Sequence, residues 1–308
     1  MPSAFAGPGI ELAAALEIHE ARPAIASLAE KGEEQVRSAA ILAGERLKPW
    51  SRAELAHFLK GSAKPVLLAA LEVSSSRSDR PLVPIVRLLG HEDQAMRDAA
   101  MNAIPTQLTP QQLGELVSAA QTAPSEEATD IIRALGKTNS VGSIEGFLID
   151  RLGQRVHSIR VAALDALSNK GSRLNNSVAV WRLVTRGDHV EGAKALMCLE
   201  RTKSFTASQM RTLLPKLDPY LRYFAARCLI SAGDREGVRA LIDLRDMDRN
   251  AFLSVDEDDA KSVLLATRQL LAELSRTELN ADQTTMWQWY SSLRTLRPRT
   301  LRRPPIDL

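Results

Sequence analysis

A chain of 308 residues with 44% hydrophobic and 25% charged residues is too apolar to be disordered, and no apolar run approaches the 18 residues that a membrane-spanning helix needs. Aromatics are only 4% while Ala and Leu abound, which excludes a typical sheet sandwich and favours closely packed helices. The net charge of +3 divides into −4 over residues 1–154 and +7 over the rest, much of it in the last fifteen residues; a nearly neutral body argues against a dedicated nucleic-acid binder.

Cys198 and Cys228 are too few for a disulfide scaffold, and no CxxC or Cys/His cluster offers a zinc site, so a reducing compartment is expected. The start, MPSAFAGPGIEL, lacks a basic segment followed by an apolar core, and the expected location is cytoplasmic.

Residues 1–10, rich in Pro, Gly and Ala, read as a flexible lead-in before a first helix through Leu12, Leu16 and Ile18. From there a nine-residue pattern recurs: apolar, Arg, any, small, small, any, any, small, apolar. Its clear copies begin at Val36, Met96, Ile159 and Leu221, and weaker ones near 66, 127, 191 and 263. The period is 30 to 32 residues until the last interval, which stretches to 42. Such a period accommodates two short helices and two turns, the signature of a repeat array. Turn residues fall between the helices, as at Gly90-His91-Glu92, Gly187-Asp188-His189 and Ala232-Gly233-Asp234. The small residues of the pattern let helices lie close together. Its opening and closing apolar residues share one buried stripe. The Arg is expected to reach a turn carboxylate or carbonyl.

The repeats resemble HEAT-like repeats of the short, 30-residue type found in phycobilisome-lyase-like proteins, over roughly residues 23–275. Four of the eight copies depart from the pattern, with Leu67, Ala128, Gly192 and Leu264 where it calls for Arg. The resemblance implies an all-α, right-handed α-solenoid of about eight helix pairs, over residues 11–276, whose second helices form a concave face that grips a protein. On this reading residues 280–297 form a capping helix and 298–308 a basic Pro/Arg tail.

The third and seventh positions of the pattern are expected to line that face. They supply Val161 and Tyr223 at the third, and Arg133, Asp165 and Arg227 at the seventh, a mixture of apolar residues and both signs of charge. A groove that tracks phosphates would be repeatedly basic there.

The long interval contains DMDRNAFLSVDE, residues 246–257, which resembles an EF-hand loop. Asp246, Asp248, Asn250, the Phe252 carbonyl, Ser254 and Glu257 stand at the ligand positions for Ca²⁺. Position six is Ala251 where the loop demands Gly, and an L-residue forced toward the left-handed region costs about 1 kcal/mol. The competing reading is a solvated acidic connection.

In the closing segment Met286, Trp289, Leu293 and Leu296 share a face suited to sealing the last repeat, while Trp287, Tyr290 and Arg294 on the adjacent face form a candidate partner spot. The tail, with five arginines from Arg294 to Arg303, reads either as an electrostatic arm for nucleic acid, an acidic protein or a membrane surface, or as a solvated terminus. The five histidines fall in different repeats without metal spacing, and no GxSxG, Walker A, GxGxxG or HExxH occurs.

The expected function is therefore a noncatalytic protein-interaction scaffold, possible calcium modulation included. The alternatives are a HEAT-like DNA-binding or glycosylase-type protein and a chromophore-lyase-type enzyme. No cofactor other than Ca²⁺ is expected, and binding of nucleic acid by the body is not.

Overall fold

The computed structural model describes residues 3–61, 63–247, 256–276, 283–293, 296–298, 300, 301 and 306. Among them there are eighteen α-helices and no strand. They fall into two compact units, residues 1–140 and 141–308.

The first unit holds α1 (Ser3–Ala15), α2 (Arg22–Lys31), α3 (Glu34–Leu47), α4 (Arg52–Phe58), α5 (Lys64–Ser75), α6 (Leu82–Arg87), α7 (Gln94–Ala103), α8 (Pro110–Thr122) and α9 (Ser125–Gly136). Helix α1 takes in most of the stretch whose composition reads as a lead-in. It packs on α3 and buries Ile10 and Ala14 while Leu12 and Leu16 stay exposed. Helices α3, α5 and α7 stack on one another, and α9 packs against α8 and α6.

The second unit holds α10 (Glu145–Arg151), α11 (His157–Ser168), α12 (Val178–Arg186), α13 (His189–Thr202), α14 (Ala207–Leu213), α15 (Pro219–Ser231), α16 (Glu236–Arg245), α17 (Glu257–Ser275) and α18 (Gln283–Ser292). Here α11, α13, α15 and α17 stack in succession, α10, α12 and α14 pack on the helices that follow them, and α18 packs on α16. No helix among the described residues is long and apolar enough to cross a membrane.

Every copy of the nine-residue pattern begins in one of the helices α3, α5, α7, α9, α11, α13, α15 and α17. At its fifth position Ala40, Ala70, Ala100, Ile131, Ala163, Ala195, Ala225 and Thr267 all have 0% exposure, so this position faces the core in every copy. The four arginines of the clear copies fold back on the preceding turn. Arg37 donates to the Ala29 carbonyl, Arg97 to those of His91 and Glu92, Arg160 to those of Gln154 and Arg155, and Arg222 to that of Leu217. They satisfy carbonyls that helix and turn leave without partners.

Helix starts are fixed locally. Ser51 with Glu54, Thr109 with Gln112 and Thr206 with Gln209 form capping boxes, and Asp93, Asp188 and Asp218 cap α7, α13 and α15. Each of these aspartates also meets a basic residue that begins the previous patterned helix: Lys64 with Asp93, His157 with Asp188 at 2.9 Å, and His189 with Asp218 at 3.5 Å. One position thus links helix starts along each stack.

One departure from the pattern is compensated in space. The first copy carries Gly44 where the other clear copies carry Ile104, Leu167 and Leu229. The Trp50 ring lies over Gly44, 1% exposed, with its indole N–H donating to the Ile41 carbonyl at 2.7 Å. Phe58 meets it edge-on at 5.0 Å, and the Arg22 guanidinium stacks 3.6 Å from the ring centroid.

Candidate functional site

In the second unit, successive patterned helices end in a left-handed residue: Gly171 just beyond α11 (φ 72°), Lys203 at the end of α13 (φ 54°) and Gly233 beyond α15 (φ 80°). These residues are 32 and 30 apart, one repeat each. Glycine takes this conformation freely, whereas an L-residue such as Lys203 gives up about 1–2 kcal/mol. Arg276 closes α17 in the same way, at φ 56°.

The ends of α11 and α13 are pinned by buried polar groups. Thr202 Oγ1 donates to the Cys198 carbonyl at 2.7 Å and accepts from the Ser204 hydroxyl at 2.9 Å, while Ser204 Oγ accepts from the Leu174 N–H at 2.8 Å. Glu145, 4% exposed, accepts from Lys170 Nζ at 2.6 Å and from the Asn175 backbone and side-chain N–H groups at 2.6 and 2.7 Å. Burial pushes the Glu145 carboxyl upward, but Lys170 and the Asn175 and Asn176 backbone N–H groups outweigh it and hold the group below its ordinary value.

Between these helix ends lies a cavity of about 580 Å³. Ser168, Asn169 and Gly171 line it from α11, Met197, Glu200, Arg201 and Lys203 from α13, Arg227 from α15, and Thr300 and Leu301 from the tail. Glu200 and Arg227 form a buried pair, with Nε to Oε2 and Nη2 to Oε1 both at 3.1 Å. Burial pushes the Glu200 carboxyl up against the pull of Arg227. The desolvation that would lower Arg227 is outweighed by Glu200 and Tyr223, which hold it more firmly protonated. Arg201 and Lys203 are exposed, and neither forms an ion pair among the described residues. The rim is therefore cationic over a neutralised floor.

This corrects the expectation for two groove residues. Tyr223 and Arg227 are 1% and 4% exposed, so neither presents itself to a partner as a surface side chain. Tyr223 packs edge-on to Phe224 at 5.2 Å, and the charge of Arg227 is spent on Glu200. Val161 is half-buried; Asp165 keeps half its side chain exposed and accepts from Lys194 Nζ at 2.9 Å. Arg133 belongs to the first unit, is 57% exposed and pairs with Asp130 at 3.1 Å.

The interior of the acidic loop, with Asp248, Asn250, Phe252 and Ser254, lies outside the described residues. Of its ends, Asp246 accepts from Arg245 at 2.9 Å and Glu257 pairs with Lys261 at 2.9 Å. In α18, Met286 is 2% exposed, in keeping with a sealing face. Trp287 and Tyr290 meet edge-on at 5.5 Å, and Arg235 lies 4.6 Å from the Tyr290 ring centroid; Arg294 lies outside the described residues. The helix ends at Ser292, and the residues described beyond it are not helical.

One cluster escapes a reading by sequence spacing. His157, Asp188 and Glu191, from adjacent repeats, bring potential ligand atoms within 4.8 Å of one another. His157 Nδ1 is 3.0 Å from Glu191 Oε1, and the Arg160 guanidinium donates to that same oxygen. A fixed cation already occupies the carboxylate, so the cluster works as an inter-repeat ion-pair network and is a poor metal site. Both cysteines are buried and free; burial pushes the Cys198 thiol up to about 12, leaving it protonated and unreactive.

No protein-family model matches the chain, and no curated protein matches it. Among solved structures, a crystal structure of an engineered protein is similar at 16% identity, over 79% of this chain and 97% of that one, with a TM-score of 0.25.

Proposed function

We propose that the chain is a noncatalytic protein-interaction scaffold built of HEAT-like helix pairs, stacked within each unit as an α-solenoid. Its binding edge is the row of helix ends at Gly171, Lys203 and Gly233. The observation that carries this reading is the cavity among those ends, where cationic Arg201 and Lys203 stand beside Met197, Thr300 and Leu301 without an ion-pair partner among the described residues. Lys203 holds a backbone conformation that glycine takes at the two neighbouring helix ends, Gly171 and Gly233, which favours a use for its side chain.

A glycosylase-type reading needs an available carboxylate in a basic cleft. Glu200 is the carboxylate here, yet both its oxygens accept from Arg227 and it is 6% exposed, which favours binding over catalysis. The test is site-directed photocrosslinking. A crosslinking residue at Lys203 should capture a discrete protein, lost when Arg201→Glu is added, while the same residue at Arg133 should not capture it. Capture unchanged by Arg201→Glu, or equal at both positions, refutes the reading.

A further inference from the structure

We infer that a second cleft, where α14, α15 and α16 meet, is a site for a free amino acid with an aliphatic side chain, its carboxylate held by Arg222 and its ammonium by Asp243. The cleft shares no lining residue with the edge at Lys203, so the inference goes beyond the binding reading and does not depend on it.

In two other clear copies of the pattern the Arg spends its Nε on an acceptor. Arg37 Nε donates to the Ala29 carbonyl at 3.0 Å, and Arg160 Nε to Glu191 Oε1 at 2.7 Å. Glu191 opens the copy that follows that of Arg160, whereas the copy that follows that of Arg222 opens with Val263, apolar and 0% exposed. Arg222 keeps a bond to the Leu217 carbonyl through Nη2 at 3.0 Å, but its Nε is shut off from solvent and has no hydrogen-bond partner. Buried donors are paired as a rule. An unpartnered one, on a guanidinium that lines a cleft of about 440 Å³, is suited to an acceptor that arrives through the cleft.

The other charges of the lining decide what that acceptor is attached to. Arg211 is engaged with Asp234 at 2.6 Å and Arg239 with Glu236 at 3.4 Å. Asp243 lines the same cleft, is exposed, and forms no hydrogen bond or ion pair among the described residues. Its partial desolvation pushes the carboxyl up against the pull of Arg239 and Arg222, so the two unpaired groups lie within electrostatic reach of each other. A simple anion would be repelled by Asp243, and a simple cation by Arg222. An α-amino acid carries both charges on one carbon: its carboxylate accepts from the guanidinium fork, and its ammonium donates to Asp243. Leu214, Pro215 and Ala240 complete the lining with apolar surface, which suits an aliphatic side chain. A peptide end presents only one of the two charges and leaves the other group unpaired.

The test is calorimetric titration of the full chain with leucine, with N-acetylleucine, which lacks the ammonium, and with leucinamide, which lacks the carboxylate. Leucine should bind saturably and at least ~10-fold more tightly than either blocked form. Asp243→Asn, at an exposed position, should leave the urea midpoint unchanged, weaken leucine several-fold or more and leave N-acetylleucine as it was. Arg222→Lys, which keeps the charge and removes the fork, should weaken leucine and N-acetylleucine alike. Absence of saturable heat from leucine up to about 10 mM overturns the inference. Equal affinities for the three probes overturn it too, as does leucine binding that a folded Asp243→Asn variant retains in full.

Discussion

Replacing Arg227 with Met strands a carboxylate. Glu200 keeps 8% of its side-chain surface exposed and accepts both of its hydrogen bonds, each 3.1 Å, from Arg227. Removing one partner of a buried pair costs about 3–5 kcal/mol, because the survivor is left charged and desolvated. The carboxyl can escape by taking up a proton, and burial already pushes it upward. With its folded value above the unfolded one, ionisation of Glu200 opposes folding at high pH. The loss in Arg227→Met should therefore be largest near pH 8 and shrink toward pH 5. Urea unfolding followed by circular dichroism at both pH values measures this. The double variant Glu200→Leu, Arg227→Met, which removes both charges, should recover most of the loss, giving a coupling of about 2 kcal/mol or more. A single-variant cost under about 1 kcal/mol, or a loss independent of pH and of residue 200, would refute the argument.

Three further outcomes follow from local geometry. Gly44→Ala should destabilise by about 1–3 kcal/mol in urea melts, since its Cβ would lie 2.4 Å from an immobilised Trp50 ring; Gly114→Ala, in the middle of α8 with nothing within 4 Å, should gain up to about 1 kcal/mol. Lys203→Gly should stabilise by up to about 1 kcal/mol in urea melts through relief of its φ of 54°. Glu145→Gln should cost about 1–3 kcal/mol at neutral pH. Because the Glu145 carboxyl is held below its ordinary value of 4.5, its contribution is complete above that pH and fades as pH falls through the folded value, so parent and variant melts should converge in acid.

The stacking units were legible in the sequence because their cause is local and repeated. The fifth pattern position is buried in every copy, and the Arg at the second folds back on the preceding turn in each of the four clear copies, so period alone locates them. The outward face was not legible, because it depends on what flanks each helix. Helix α13 has α11, α12 and α15 against it, and residues 192–199 are all buried. In α15 the third and seventh positions, Tyr223 and Arg227, are covered as well, the latter by Glu200 from the neighbouring helix. The His157, Asp188 and Glu191 cluster hid for a related reason. Its members are 31 and 34 residues apart, and only the stacking of one repeat on the next brings them together. A signal existed nonetheless in the recurrence of a basic residue and an Asp one repeat apart, at Lys64 with Asp93 and His189 with Asp218.

The same logic identifies where a repeat array can carry function. A position that repeats in type is constrained by packing; one that repeats in conformation but not in type is free of packing and open to another use. The helix-ending residue is such a position. The backbone needs a left-handed turn at Gly171, Lys203 and Gly233 alike, and glycine meets that need at least cost. At Gly233 the glycine is also required by the tail, whose backbone leaves no space for a Cβ. At Lys203 nothing in the turn calls for a side chain, and the one present is cationic, exposed and at the mouth of the cavity. The fold thus tolerates a local strain at Lys203, where an exposed cation stands at the mouth of the cavity, and that conjunction is why the proposed binding edge is drawn there.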